Sequence, residues 1–372
     1  RTVIFILYSV CHIHDKRHNA SFIMASNTQK IDIRKISRED IGSFLESVGE
    51  QKFRAKQIDH WLWKKSVINF GAMKNLPNAL LKKLEEQYCI NPLVVEHRQD
   101  SADGTIKAAF KLHDGYLIEG VLIPSRTRLT ACISSQVGCS MACTFCATAQ
   151  LKRERNIDAA EIYDQVVAIT RMAREEHGRG LSNIVYMGMG EPLLNYQNVL
   201  DSIEKITSPE GLGMSPKRIT VSTVGIAKMI KKLADDDVKF NLALSLHAAN
   251  DKKRSEIIPI NDQNSLESLA EALIYFHEKT GTRVTYEYII FKDFNDEIED
   301  ARELAEFCKH VPCKVNIIEY NPIDNCDLQQ ADYVKVNAFV KFLESRNIIA
   351  NIRRSRGKDI DAGCGQLANK KS

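Results

Sequence analysis

The sequence lacks any long apolar run: nowhere does it reach the roughly 18 consecutive apolar residues of a membrane span, so no membrane partner is expected. It lacks an excess of charge of either sign, with Lys+Arg 51 against Asp+Glu 48 and a net of +3. That balance excludes a generic polyanion binder, so any nucleic-acid surface must be local. A starting methionine is missing too. Residue 1 is Arg, and the apolar stretch Thr2–Cys11 mimics the core of a signal peptide. Export would oxidise the thiols discussed below, so translation is expected to begin naturally at Met24. Residues 1–23 are then a disordered upstream extension, and His12, His14 and His18 have no metal role. A secreted disulfide framework is also absent: ten cysteines are present, but the chain is long and three of them have the spacing of a metal site. Free thiols and a cytoplasmic setting are expected. At 372 residues and 44% hydrophobic composition, two or three units with a sizeable core are expected.

The three cysteines lie in Gly138-Cys139-Ser140-Met141-Ala142-Cys143-Thr144-Phe145-Cys146, a C-x3-C-x2-C spacing. Three thiolates with no fourth cysteine at matching spacing imply a metal centre with one position left open. Iron–sulfur clusters are commonly held by four cysteines. A [4Fe–4S] cluster on Cys139, Cys143 and Cys146 would therefore leave one iron free to bind something else. The pattern, with Phe145 ahead of the last cysteine, resembles the radical S-adenosylmethionine (SAM) motif, in which that iron chelates the amino and carboxylate groups of SAM. A zinc site of three cysteines and one histidine, or thiols clustered without a metal, are the alternatives.

Residues 24–91 read as a small helical domain. Ser37 precedes Asp40 at capping-box spacing, and Ile41, Phe44, Leu45 and Val48 follow at the helical period. A second helix carries Phe53, Ile58, Trp61 and Leu62, and a third Leu80, Leu81 and Leu84. Lys52, Arg54, Lys56, Lys64 and Lys65 around Trp61 and Trp63 suit contact with RNA and suit an ordinary solvated helix face equally well. Residues 92–131 turn to strands, with Ala108–Leu112 and Tyr116–Ile123 joined by the turn His113-Asp114-Gly115. Both faces of the second strand are apolar, which leaves Glu119 no evident solvent face. Desolvation would raise its pKa and suit proton transfer, unless the strand is an edge and Glu119 points to water.

Residues 132–350 alternate strands and helices. The capping box Asp158-x-x-Glu161 opens a helix, and the runs Asn183–Met187, Arg218–Ser222, Phe240–Leu246, Thr285–Ile290 and Val315–Ile318 read as strands. Helical patterns such as Leu266–His277 and Ala301–Cys308 lie between them. With the strand ahead of Cys139 this makes six β/α units, hence an α/β fold. The expected architecture is a partial (β/α)6 barrel, open at its side to a large substrate, with active-site residues at the C-terminal strand ends. Residues 351–372 form a tail.

Motifs fall at those strand ends. In Met187-Gly188-Met189-Gly190-Glu191-Pro192, the glycines would let the backbone approach a ligand, and Glu191 would offer an anion to the ammonium of SAM. A bare glycine turn is the alternative. Ser222, Ser245-Leu246-His247 and Asn321 end three later strands with groups suited to ribose, carboxylate and adenine. Cys364, between Gly363 and Gly365, has the accessible setting of a reactive thiol. The basic run Arg353, Arg354, Arg356, Lys358 ahead of it could hold a phosphate backbone. Cys89, Cys308, Cys313 and Cys326 read as packing or incidental surface thiols.

Four segments together resemble the dual-specificity radical SAM adenine methyltransferases over about residues 30–368. They are Cys132-Ile-Ser-Ser-Gln-Val-Gly-Cys139 with the cysteine motif, Met187–Asn195, Ser245-Leu-His-Ala, and Asp361-Ala-Gly-Cys364-Gly-Gln-Leu. The resemblance implies a radical SAM barrel that methylates carbon 2 of an adenine in the peptidyl transferase centre of 23S rRNA and of the adenine 3′ of the anticodon in certain tRNAs. It implies one [4Fe–4S] cluster, two SAM per turnover, and an electron donor such as flavodoxin or ferredoxin. The first SAM would methylate Cys364 by displacement. The second would be cleaved reductively at the cluster, and its 5′-deoxyadenosyl radical would take hydrogen from that methyl group. The carbon radical would add to carbon 2, Glu119 would accept the carbon-2 proton, and Cys132 would attack Cys364, releasing product and leaving a transient disulfide. Gly190, Glu191, Ser222, Ser245, Leu246, His247 and Asn321 would bind SAM. A sister family methylates carbon 8 of the same rRNA adenine, but Glu191–Asn195 and Leu122-Ile123-Pro124 look like the carbon-2 family. Gly363 departs from the Ala common there. A zinc-bound RNA-binding module, the reading from another class, leaves Cys364 and the Gly-Glu rim without a role.

Overall fold

The computed structural model describes residues 30–369; the expected start at Met24 and the extension before it lie outside them. The N-terminal unit holds α1 (Arg38–Ser47), α2 (Arg54–Asp59), which runs into a π turn at His60–Lys64, and α3 (Asn78–Gln87). Ser37 caps α1 by accepting the Asp40 amide, as the spacing indicates. Ile41, Leu45, Ile58, Leu62, Leu80 and Leu84 face inward at helical period and form its core. Trp63 fits neither reading of this surface, RNA contact or solvated helix face. It is buried, edge-on to Tyr163 at 5.1 Å, with the Lys205 ammonium over its ring at 5.3 Å. Its place is in the docking surface against the barrel.

The rest of the chain is built on a ten-stranded sheet, with a short antiparallel pairing of Gln136–Val137 and Arg155–Asn156 flanking the cysteine loop. The strands are β1 (Val94–Asp100), β2 (Ile106–Lys111), β3 (Leu117–Pro124) and β4 (Leu129–Cys132), followed by α4 (Ala159–His177), β5 (Asn183–Tyr186) and α5 (Tyr196–Thr207). Next come β6 (Ile219–Thr223), α6 (Ala227–Asp235), β7 (Asn241–Ser245), α7 (Asp251–Ile257) and α8 (Leu266–Thr280). The series ends with β8 (Val284–Ile290), α9 (Ile298–Phe307), β9 (Cys313–Glu319), α10 (Tyr333–Ser345) and β10 (Ala350–Arg353). The strands lie side by side in chain order. β1 to β4 pair antiparallel, and β4 to β10 pair parallel.

Six β/α units are thus present, and the sheet extends beyond the sequence reading at both ends. β1 is one addition. The other is β10, which the charged pattern places in the tail; its alternation of Asn351 and Arg353 with Ile352 is that of an exposed edge strand. Along β8 the period of two separates two surroundings. Val284, Tyr286, Tyr288 and Ile290 join the main core under the helices, whereas Ile289 packs in a second cluster with Met141, Cys143 and Phe145. Thr285, Glu287 and Ile289 therefore face the barrel interior, on the side of the cysteine loop. No helix among the described residues is long and apolar enough to cross a membrane.

Candidate active site

The loop after β4 is shaped by backbone that ordinary residues resist. Gly138 has φ +73°, and a Cβ there would lie 2.1 Å from the Lys152 carbonyl. Ala142 is held at φ +56°. The loop is tied on two sides: the Thr144 amide donates to Ile257 at the end of α7 (3.1 Å), and the Ala147 amide donates to Gly365 of the tail (2.7 Å). Cys143 is buried and Cys139 and Cys146 are half-buried among Met141, Phe145, Ile257 and Phe291. Burial pushes the Cys139 thiol up to about 11 and that of Cys143 well above its usual value, and in both the neighbouring cysteines add to the effect. Three crowded thiols in apolar surroundings become thiolates together only if cations take up the charge. Among the described residues, no three of His, Cys, Asp and Glu converge closely enough to hold a single metal ion. A four-iron cluster makes no such demand, since each thiolate binds its own iron. The soft donors, the apolar shell and the lack of a fourth cysteine in the loop fit such a cluster with one open iron.

The glycines of the segment after β5 have a different use from the expected one. A Cβ on Gly188 would lie 2.7 Å from Ser134 Oγ, and one on Gly190, at φ +96°, 2.4 Å from the Gln136 Cβ. The close approach they permit is to the chain leading into the cysteine loop: the Ser135 and Gln136 amides donate to the Met189 carbonyl at 2.8 and 3.1 Å. Glu191 is also less free than a carboxylate awaiting an ammonium group. It is buried, and its two oxygens accept the Leu193 amide (3.0 Å) and the Val224 amide (2.9 Å). Burial pushes its pKa up to about 7, with those amides pulling it back. A cation arriving beside it would favour the ionised form.

The later strand ends cluster as expected, with one exception. Ser222 and Ser245 lie 3.3 Å apart, oxygen to oxygen, at the ends of β6 and β7. His247 is buried at φ +56°, edge-on to Phe145 at 4.8 Å. Burial, then Arg254, pulls its pKa down to about 3, so the ring stays neutral. Its Nδ1 accepts the Ile289 amide at 3.0 Å, which places the ring proton on Nε2. Leu246 is the exception. Its side chain is fully buried in the main core, its amide donates to Glu287, and its carbonyl accepts from Arg254. It has no polar atom to spare, and its part is to fix the backbone between Ser245 and His247. Asn321, after β9, spends its amide on the Cys364 carbonyl at 3.3 Å. A Cβ on Gly363 would sit 2.5 Å from that Asn321 nitrogen, so the glycine makes room for this contact.

The tail brings Cys364 to this place. Besides Gly365, its Leu367 carbonyl accepts the Thr148 hydroxyl at 2.6 Å, and Gln366 folds back on the Gly363 amide at 3.0 Å. Cys364 is exposed to solvent although surrounding chain crowds it, and Cys132 is buried at the end of β4. Burial, then the nearby Cys364, pushes the Cys132 thiol up to about 12. For Cys364, burial raises the thiol, Arg353 opposes that, and Glu287 and Cys146 reinforce it. The two lone thiols thus share one electrostatic neighbourhood with a cysteine of the loop. Glu119 is buried, as both apolar faces of β3 require, but it is not uncompensated. Its Oε1 lies 3.4 Å from the buried Lys107 ammonium, and its Oε2 accepts the amides of Ala368 (2.9 Å) and Asn369 (3.1 Å). Lys107 also reaches the Asp361 carbonyl at 3.4 Å. The pair therefore grips the Cys364 segment at both ends.

Sequence reasoning missed Lys107, Arg254 and Glu287. Glu287 faces the interior, accepts the Asn316 amide at 2.8 Å, and lies near Cys364. Its position in an unbroken buried strand carries the same signal that singles out Glu119. Arg254 sits in Asp251-Lys252-Lys253-Arg254, which reads as a solvated helix start, and nothing in the sequence marks it. A polar cleft of about 730 Å³ between the N-terminal unit and the barrel is lined by Arg34, Trp63, Arg155 and Lys205, and by none of the cysteines.

Residues 133–305 match the Radical SAM superfamily, and residues 31–90 match the Ribosomal RNA large subunit methyltransferase N-terminal domain. Over 342 residues the chain is 56% identical to the "Probable dual-specificity RNA methyltransferase RlmN" of Christiangramia forsetii, covering 92% of this chain and 97% of that one. The protein of the same name from Cytophaga hutchinsonii is also 56% identical, covering 93% of this chain and 95% of that one. The crystal structure of a radical SAM methyltransferase from Sphaerobacter thermophilus superposes with a TM-score of 0.86 at 38% identity, covering 91% of this chain and 100% of that one.

Proposed function

This chain belongs to the RlmN-type radical SAM family of RNA methyltransferases, and from that premise we propose that it methylates carbon 2 of an adenine in 23S rRNA and of the adenine 3′ of the anticodon in some tRNAs. The observation that carries the reading is the lacing of the Cys364 segment to the cysteine loop, with Cys132 and Glu119 beside it. Cys139, Cys143 and Cys146 would hold a [4Fe–4S] cluster, which together with SAM would supply an electrophilic methyl group and, on reduction, the one-electron chemistry that an electron-poor carbon 2 needs. The chain's own residues do the rest. Gly190 and Glu191 shape one side of the SAM site, and Ser222, Ser245, His247 and Asn321 offer polar groups on the other, with Leu246 holding the backbone between them. Cys364 accepts the methyl group as a thioether and presents its carbon to the base. Glu119 accepts the carbon-2 proton once the amides of Ala368 and Asn369 release its Oε2. The Cys132 thiolate then attacks the Cys364 sulfur: the sulfur–sulfur bond forms as the sulfur–carbon bond breaks, the released carbon takes up a proton to become the methyl group, and the disulfide left behind is reduced by the electron donor before the next turnover.

Two SAM are used per turnover, one for the carrier and one for activation, with electrons from a donor such as flavodoxin or ferredoxin. The target adenine leaves its stack to enter the barrel. Residues 24–91 serve as an RNA-contacting unit through the exposed Lys52, Phe53, Lys56 and Lys65. The test is nucleoside mass spectrometry on a 23S rRNA fragment and on tRNA treated with reconstituted, reduced enzyme. The reading expects 2-methyladenosine in both substrates. 8-Methyladenosine would overturn the carbon assignment, and unmodified tRNA would confine the activity to rRNA.

A further inference from the structure

Arg254 is fully buried and, among the described residues, forms no ion pair, a costly arrangement for a cation unless an anion completes it. The groups that accept its hydrogen bonds are all neutral. Nε donates to the Leu246 carbonyl (3.1 Å), Nη1 to Asn261 Oδ1 (2.6 Å), and Nη2 to the carbonyls of Ser245 (3.3 Å) and Val224. These carbonyls belong to the ends of β6 and β7, from which Ser222, Ser245 and His247 project. The helix that carries it, α7, ends at Ile257, whose carbonyl takes the Thr144 amide inside the cysteine loop. Ile257 and Ile258 pack on Met141, Cys143 and Phe145. Burial pulls its pKa down to about 10, opposed by the nearby charges of Cys143 and Asp251, so it stays protonated at neutral pH.

We propose that Arg254 is a positioning residue joining the two halves of the site. Its buried charge balances the thiolates of Cys139, Cys143 and Cys146 when they hold a cluster. Its N–H groups hold the strand-end backbone in the form that binds SAM. The inference rests on the reading of the three cysteines as cluster ligands. A cluster bound by three thiolates is net anionic, and an added electron makes it more so. A fixed cation nearby therefore eases reduction as well as assembly.

The test compares wild type, Arg254→Gln and Arg254→Lys, each reconstituted without air. Iron and sulfide content, the midpoint potential by EPR-monitored titration, and SAM binding by equilibrium dialysis are measured. Arg254→Gln is expected to have a more negative potential and roughly tenfold weaker SAM binding. Arg254→Lys, which keeps the charge and loses the carbonyl ties, is expected to keep the wild-type potential and share the weaker binding. A Gln variant without cluster beside a Lys variant with one also supports the charge role. Wild-type potential and binding in both variants overturns the proposal, as does loss of the cluster from both while circular dichroism shows a native fold. Should the Gln variant unfold, the Lys variant decides: wild-type potential with weaker binding supports the proposal, and the reverse overturns it. A wild type that holds no reducible cluster would instead refute the reading of the cysteines.

Discussion

Each of the two lone thiols has the surroundings its proposed task requires. Cys364 is exposed, as the proposed encounter with SAM and then RNA requires, whereas Cys132 is buried and only weakly acidic. Cys364→Ala is expected to abolish RNA methylation while leaving the cluster's absorbance and EPR signal unchanged; an active variant would remove it from the mechanism. Cys132→Ala is expected to accumulate a protein–RNA adduct, seen as an RNase-sensitive band shift, whose absence would leave Cys132 a packing residue. Lys107 makes a third case. Replacing it by Met strands the Glu119 carboxylate without its cation, and breaking a buried pair costs about 3–5 kcal/mol. Denaturant unfolding should show that loss, and Lys107→Met with Glu119→Gln should recover much of it. The burial of Glu119 was legible because both faces of its strand are apolar. Its counter-ion was not, since Lys107 reads as the exposed half of an alternating strand until the register pairs it across the sheet with Val121.

At the scale of elements, local signals survived folding and long-range ones did not. The capping box Asp158–Glu161 starts α4 as its residues imply, but Glu161 does more than cap. Arg155 grips it with two bonds of 2.7 and 2.8 Å. Burial raises its pKa, and the Arg155 pair more than offsets that, holding it below the usual value. A lowered folded pKa gives stability that is complete above the unfolded value of about 4.3 and fades as pH falls through the folded one. Glu161→Gln should therefore be less stable than wild type by about 1–3 kcal/mol at pH 7, with the difference shrinking below about pH 4. A difference that stays constant with pH would mean the loss is one of packing. The glycines after β5 show the limit of local reading. Their need for space was visible at Gly188 and Gly190, but only the fold reveals that the Ile133–Gln136 backbone fills it.

For the whole molecule, the alternation of strands and helices was enough to read six β/α units, because each unit is a local repeat of one pattern. The edges were harder. β10 is short and charged, and the way the N-terminal unit docks depends on residues 130 positions apart. Arg34 makes that dock, bridging Asp32 at 2.9 Å and Asp164 on α4 at 2.8 Å, all with little exposure. Arg34→Ala should destabilise the chain by about 3–5 kcal/mol, since it leaves two buried carboxylates unpaired; an unchanged unfolding midpoint would mean that the dock is carried by Trp63 and by other pairs such as Lys35–Asp158 and Arg38–Glu210. The proposal that loop, rim and tail converge on Cys364 as methyl carrier is tested most directly by a methyl-transfer measurement on the protein itself. Enzyme reconstituted without air is given SAM labelled in its methyl group, with neither reductant nor RNA, and its peptides are analysed by mass spectrometry. Displacement needs no added electron, so the expected result is one labelled methyl group on Cys364 and none on Cys132. Label on another residue, or no label on a protein whose cluster is intact, would contradict the assignment of Cys364 as the carrier.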